Sequence, residues 1–297
     1  MSVVKKSSFF AAFAAGWLAL AAPSQAQGNP PDIYRVGGAT AAISPNSLDW
    51  AWNRSYITEF RGALQNPAYF GSGGIVQRSI VTVDISSINA TSLAGVNMFV
   101  GTWNSDADWT PAMVSAVTSF FFNGGDLFLL QDDPGHDPIG SALGLATTAS
   151  TGSVSNGGAP LYNGPFGVAS NVTQLYNVGQ LSEAAVTGLG GTVAGRNQQG
   201  QVTSAFWLAG QFAPGAGALF INADIDMIAT TNGLCPLPQC GAAYNPLNSN
   251  GIFALNTFAF VQQQGGTPPI PEPSTLLLLS LGVAALGLRF GKRSSMS

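Results

Sequence analysis

The stretch Gln131–Gly140 reads QDDPGHDPIG and gathers Asp132, Asp133, His136 and Asp137 into six positions of a chain with 8% charged residues and one histidine. Three chemistries fit those residue types. Carboxylates with loop carbonyls can hold Ca²⁺ or Mg²⁺, which take oxygen ligands. Carboxylates with an imidazole can hold a transition metal that activates water for hydrolysis. A carboxylate pair can perform acid–base work on a glycosidic bond. The plainer reading is structural, since aspartates in a Gly- and Pro-rich loop cap helices and tie backbone amides. Asp224 and Asp226, in NADIDM, follow a second apolar run. If that run is a strand parallel to the one before QDD, all six groups lie at one sheet edge, where open parallel sheets bind ligands.

Positioning these residues falls to an α/β domain over residues 80–264. IVTVDI (80–85) and VNMFVGT (96–102) read as strands. Thr110 and Pro111 supply a hydroxyl N-cap and a first-turn proline for the helix PAMVSAVTSFFFN, and Gly124 supplies its left-handed stop. DLFLLQ (126–131) is nearly all apolar, as a central parallel strand must be. Strand, helix and strand with tight joints form a right-handed βαβ unit. Residues 146–179 read as loop, and LSEAAVTGL (181–189) as a short helix. QVTSAFWLAG (201–210) and GALFINA (217–223) read as an antiparallel hairpin, and NGIFALNTFAFVQQQ (250–264) as a closing helix. Residues 27–79 read as an irregular N-terminal extension with one helical stretch, 52–64. The expected fold is a mostly parallel sheet flanked by helices.

FFFNGGDLFLLQDD, APGAGALFINADIDM and NGIFALNTFAFV together resemble the class I glutamine-amidotransferase-like, or flavodoxin-like, α/β fold over about residues 80–262. The resemblance implies, for catalytic members, a cysteine on a strand-to-helix turn with a histidine partner. Cys235 and Cys240, in CPLPQC, follow no apolar strand, so the resemblance extends to the fold and not to amidotransferase chemistry. In an exported chain the two cysteines read as a disulfide stapling a small loop, with a metal pair as the alternative. Trp50, Trp52, Trp103, Trp109 and Trp207, with Tyr34, Tyr56 and Tyr69, are candidates for stacking on sugars, against the alternative of ordinary packing. Trp103 and Trp109 bracket NSDAD after the second of the strands above.

The two ends address the chain. Lys5 and Lys6, the apolar run 9–22 and Ser24-Gln25-Ala26 have the layout of a signal peptide (1–26) for the export machinery and signal peptidase. After a linker, 265–270, Pro271-Glu272-Pro273 precedes an uncharged run, 274–288, and then Arg289, Lys292 and Arg293. That run spans roughly 22 Å as a helix, short of a hydrocarbon core of about 30 Å. The basic cluster would stay cytoplasmic and leave the core outside. Triplet, short apolar run and basic cluster resemble the PEP-CTERM sorting signal (271–297). The resemblance implies an exosortase partner, a transient membrane stage, and release or attachment to the cell surface or extracellular polysaccharide.

Between the ends there is no lysine; five arginines face thirteen carboxylates, Glu272 excluded. Such a surface suits neither nucleic acid nor anionic membranes. A P-loop lysine is also missing. Two function classes remain: a non-enzymatic binding or structural protein at the cell surface, and an extracytoplasmic, metal-dependent hydrolase acting on a glycan.

Overall fold

The computed structural model describes residues 33–173, 178–228 and 248–264. The signal peptide, the CPLPQC loop and the sorting tail lie outside the described residues. Among the described residues, no helix is long and apolar enough to cross a membrane.

The first half contains β1 (Ile33–Ala39), α1 (Thr58–Leu64), β2 (Ser79–Ile85), α2 (Ala90–Leu93), β3 (Met98–Gly101), α3 (Pro111–Phe122), β4 (Asp126–Leu130) and α4 (Pro138–Ala142). Short strands follow: β5 (Thr147–Ala149), β6 (Val154–Gly157), β7 (Asn163–Gly164), β8 (Gly167–Val168), β9 (Val172–Thr173) and β10 (Gly179–Leu181). The chain continues through α5 (Glu183–Gly188), β11 (Thr192–Asn197), β12 (Val202–Trp207), β13 (Leu219–Asn222) and α6 (Ser249–Gln264).

The main sheet has eleven strands, in the order β2-β1-β3-β4-β13-β12-β11-β6-β9, with β10 and β5 off that path. β2, β1, β3, β4 and β13 run parallel. The expected hairpin is present: β12 pairs antiparallel with β13, matching Ser204 with Asn222 and Trp207 with Leu219. One face of the sheet is covered by α1 and α6, through Phe60, Leu64, Phe253 and Phe258. The other is covered by α2, α3, α4 and α5, through Leu93, Val117, Phe121, Ile139 and Val186. Sheets covered on both faces give the near-continuous apolar strands seen in β3 and β4. The helix caps follow the residue types: the Thr110 hydroxyl accepts from the Met113 N–H at 3.3 Å, and Gly124 adopts φ 91°. Arg78 donates to the Gln262 carbonyl at 2.7 Å, a cation at the C-terminal turn of α6.

Two stretches depart from expectation. Most of 40–78 is turns and short helices, with the α-helical part confined to Thr58–Leu64, but Ile33–Ala39 is a strand between β2 and β3. The N-terminal extension therefore belongs to the α/β domain. IYRVGGA reads poorly as a strand because Gly37 and Gly38 carry no side chain to pack. The fold needs that absence. A Cβ at Gly38 would fall 2.5 Å from Trp52 Cγ, and one at Gly37 2.6 Å from Ile85 Cδ1. Gly38→Ala is expected to cost about 1–3 kcal/mol through overpacking, measured as a lower urea midpoint at unchanged slope. The second stretch, 146–179, contains short strands rather than loop alone; their Gly-, Ser- and Asn-rich composition hides pairing that rests on backbone bonds.

Candidate functional site

The parallel half has the 2-1-3-4-5 order of a doubly wound sheet. Its connections diverge between β1 and β3, and the crevice beyond their carboxyl ends is the expected ligand position. Eight of the thirteen core carboxylates follow the carboxyl ends of these strands: Asp49 after β1, Asp106 and Asp108 after β3, Asp132, Asp133 and Asp137 after β4, and Asp224 and Asp226 after β13.

Because β13 runs parallel beside β4, the QDD and NADIDM segments do meet. They do not form an open row. Asp132, Asp224 and Asp226 are 7%, 1% and 5% exposed. The Asp132 carboxylate accepts from the Ile225 N–H at 2.6 Å, and the Asp224 carboxylate accepts from the Asp226 N–H at 2.7 Å. Gly179 closes over them: it donates to the Ala223 carbonyl at 2.9 Å, and a Cβ there would sit 1.8 Å from the Asp132 carbonyl oxygen. Burial pushes the Asp226 carboxyl up to about 7. Burial, and then the charge of Asp226, hold that of Asp132 well above the carboxylate range. Asp137 is likewise committed, accepting from the Ser141 hydroxyl at 2.8 Å and from the Thr147 N–H and hydroxyl at 2.7 and 3.1 Å. Among the described residues no group of three or more His, Cys, Asp or Glu is arranged to hold a metal ion.

Asp133 and His136 form a different unit, turned toward the β1–β3 crevice. His136 Nδ1 lies 2.8 Å from Asp133 Oδ1, and the Trp103 indole N–H donates to the same oxygen at 3.4 Å. The Trp103 and His136 rings stack, with centroids 3.7 Å apart and planes 10° from parallel. Trp50 lies 6.3 Å from Trp103, and Tyr56 lies 4.7 Å from Trp50. All four rings are half-buried. The loops after β1, β3 and β4 thus contribute to one aromatic row, Tyr56–Trp50–Trp103–His136, and the acid beside it fixes its inner end. Trp52, Trp109, Trp207 and Tyr34 instead belong to the core, and Tyr69 packs at its margin against Phe166.

Unpaired polar atoms lie beneath the row. The hydroxyls of Thr40 and Thr102 and the indole N–H of Trp52 are buried without a hydrogen-bond partner. The register that pairs Gly38 with Val100 carries Thr40 and Thr102 side by side past the strand ends, on the face where Trp52 covers Gly38. Thr102, His136, Asn104 and Gln131 line a cavity of about 10 Å³, room for roughly one water. Asp106 Oδ1 accepts from the Asp137 N–H at 3.1 Å, and burial, then the Asp137 charge, raise the Asp106 carboxyl. Neither threonine nor Asp106 carries a motif; only the strand order reveals them as neighbours of the site.

Comparison with known proteins supports the fold and the address. The chain is similar to the mmIFT52 N-terminal domain, at TM-score 0.50 and 12% identity, over 76% of this chain and 96% of that one. It is also similar to a putative ThuA-like protein from Bacteroides uniformis, at 0.45 and 12%, over 78% and 92%. A GMP synthase-like protein from Thermoplasma acidophilum matches at 0.41 and 12%, over 77% and 98%. At such identities the likeness is one of fold. A search of curated proteins finds no match. Residues 269–293 match the PEP-CTERM protein-sorting motif, which marks an exported protein handled by an exosortase at the membrane.

Proposed function

We propose that this exosortase-sorted protein is a non-enzymatic glycan-binding protein of the cell surface or extracellular polysaccharide. The carrying observation is the half-buried row Tyr56–Trp50–Trp103–His136 at the crevice of the parallel sheet. Aromatic faces offer large, rigid apolar area with polar groups at their edges, which suits the alternating C–H faces and hydroxyls of a sugar chain. In this reading Asp133 and His136 are binding residues that hold Trp103 and border the ligand. Asp132, Asp137, Asp224 and Asp226 shape the loops behind it. Residues 1–26 direct export, an exosortase acts near Pro271-Glu272-Pro273, and Cys235 and Cys240 staple their loop.

Trp103→Ala is the test. Isothermal titration of the mature protein with its cognate extracellular polysaccharide should show about a tenfold loss of affinity, near 1.4 kcal/mol. Unchanged affinity in a variant that melts like the parent would sink the proposal.

A further inference from the structure

We infer that the glycan taken at this edge carries free amino groups, so that an ammonium-bearing sugar polymer is preferred to a neutral or uronate one. The inference rests on the glycan reading above. Its first support is the charge of the loops that carry the row. Asp49, Asp106, Asp108 and Asp133 all retain solvent-accessible surface there. Among the described residues, the ion pairs of the arginines lie elsewhere, Arg61 with Asp84 and Arg196 with Glu183. Arg78 is engaged at the end of α6. The basic group set against the inner end of the row is His136, already held by Asp133. An ammonium arriving here meets uncompensated carboxylates and the π faces of Trp103 and Trp50, both of which attract cations. A uronate meets the same carboxylates as like charges.

The second support is independent of charge. Thr102 is 2% exposed, its hydroxyl has no partner, and it lines the small cavity shared with His136. A buried hydroxyl in that condition costs free energy until a ligand group or a water satisfies it. It lies at the foot of the stacked pair, where an amino or hydroxyl substituent of a sugar lying on Trp103 can reach it through one bridging water. The raised carboxyl of Asp106, crowded by Asp137, is relieved by the same incoming cation.

The experiment titrates the mature protein with three short oligomers of equal length: a β-linked glucosamine oligomer, its N-acetylated counterpart, and an oligouronate. The expected result is about tenfold tighter binding of the amino oligomer than of either other, shrinking as salt is raised. Asp133→Asn, which keeps the acceptor for Trp103 and His136 but removes the charge, should abolish that preference while leaving the melting temperature unchanged. Equal binding of the amino and N-acetylated oligomers, or tightest binding of the oligouronate, overturns the inference. If Trp103→Ala still weakens those interactions, the glycan reading survives alone. Absence of binding to all three, with no effect of Trp103→Ala on polysaccharide binding, removes both.

Discussion

Raising the pH from about 5 to about 8 should destabilise this protein by a few kcal/mol, against the usual loss of stability in acid. Asp126 and Asp226 are buried aspartates whose carboxyls are pushed from an ordinary 3.8 to about 7 in the folded chain, chiefly by burial. Asp126 sits at the opposite pole of the sheet, where it accepts from the Tyr34 hydroxyl and from the Ala218 N–H at 2.8 Å. Between the two values the folded state keeps a proton that the unfolded state has released. Stability is therefore fully present below the unfolded value and is lost as the pH rises through about 7. Three pH units at about 1.4 kcal/mol each set an upper bound of roughly 4 kcal/mol per group, and relaxation or water entry reduces it. Asp132, shifted the same way, adds to the slope. Urea denaturation at the two pH values measures the difference. Asp226→Asn, which removes one titrating group and keeps its shape, should flatten the profile and raise stability at the higher pH. A parent profile that is flat or rises over this range would contradict the buried-carboxylate account.

Phe128→Ala should cost about 3–5 kcal/mol, a large part of the stability of a single domain. Phe128 is fully buried in the middle of β4. Its ring centroid lies 4.8 Å from that of Phe220 on β13, 5.8 Å from Phe258 on α6 and 6.3 Å from Phe60 on α1. Truncation removes the transfer energy of the ring and leaves a cavity lined by three aromatics that cannot all close on it. Phe128→Leu retains most of the volume and should cost under about 1.5 kcal/mol. Guanidinium denaturation of both variants tests the pair. A small effect for alanine would mean that α1 and α6 do not pack on the sheet through this ring.

The legible parts of the fold are those whose side chains carry a period or a cap. The apolar run DLFLLQ, the Thr110-Pro111 helix start and the β12–β13 alternation all occur as expected. β1 is opaque because its glycine pair exists to admit Trp52 and Ile85, so the partner and not the strand explains the residues. At the site, composition marks the aspartates, and parallel strands do bring QDD and NADIDM together. Their burial is not readable, because it depends on Gly179, which the chain reaches only after an insertion of short strands. The row is half-legible: Trp50, Trp103 and Tyr56 stand among the candidate sugar-stacking aromatics, but nothing local says that they, unlike Trp52, stay near solvent beside His136.

The placement of β1 bears on how the chain must be assembled. Its seven residues, Ile33–Ala39, are the first described stretch of the chain, yet they pair in register along both flanks, with β2 and with β3. A strand that emerges first but is clasped on two sides cannot be completed by its immediate successors. It waits for residues near position 100 before its second ladder closes. Topologies of this kind nucleate late, since distant segments must meet before the core is sealed. The segment behaves as a keystone: an edge strand can be lost with local fraying, whereas removing this one would leave β2 without a neighbour and split the crevice from one of its two walls.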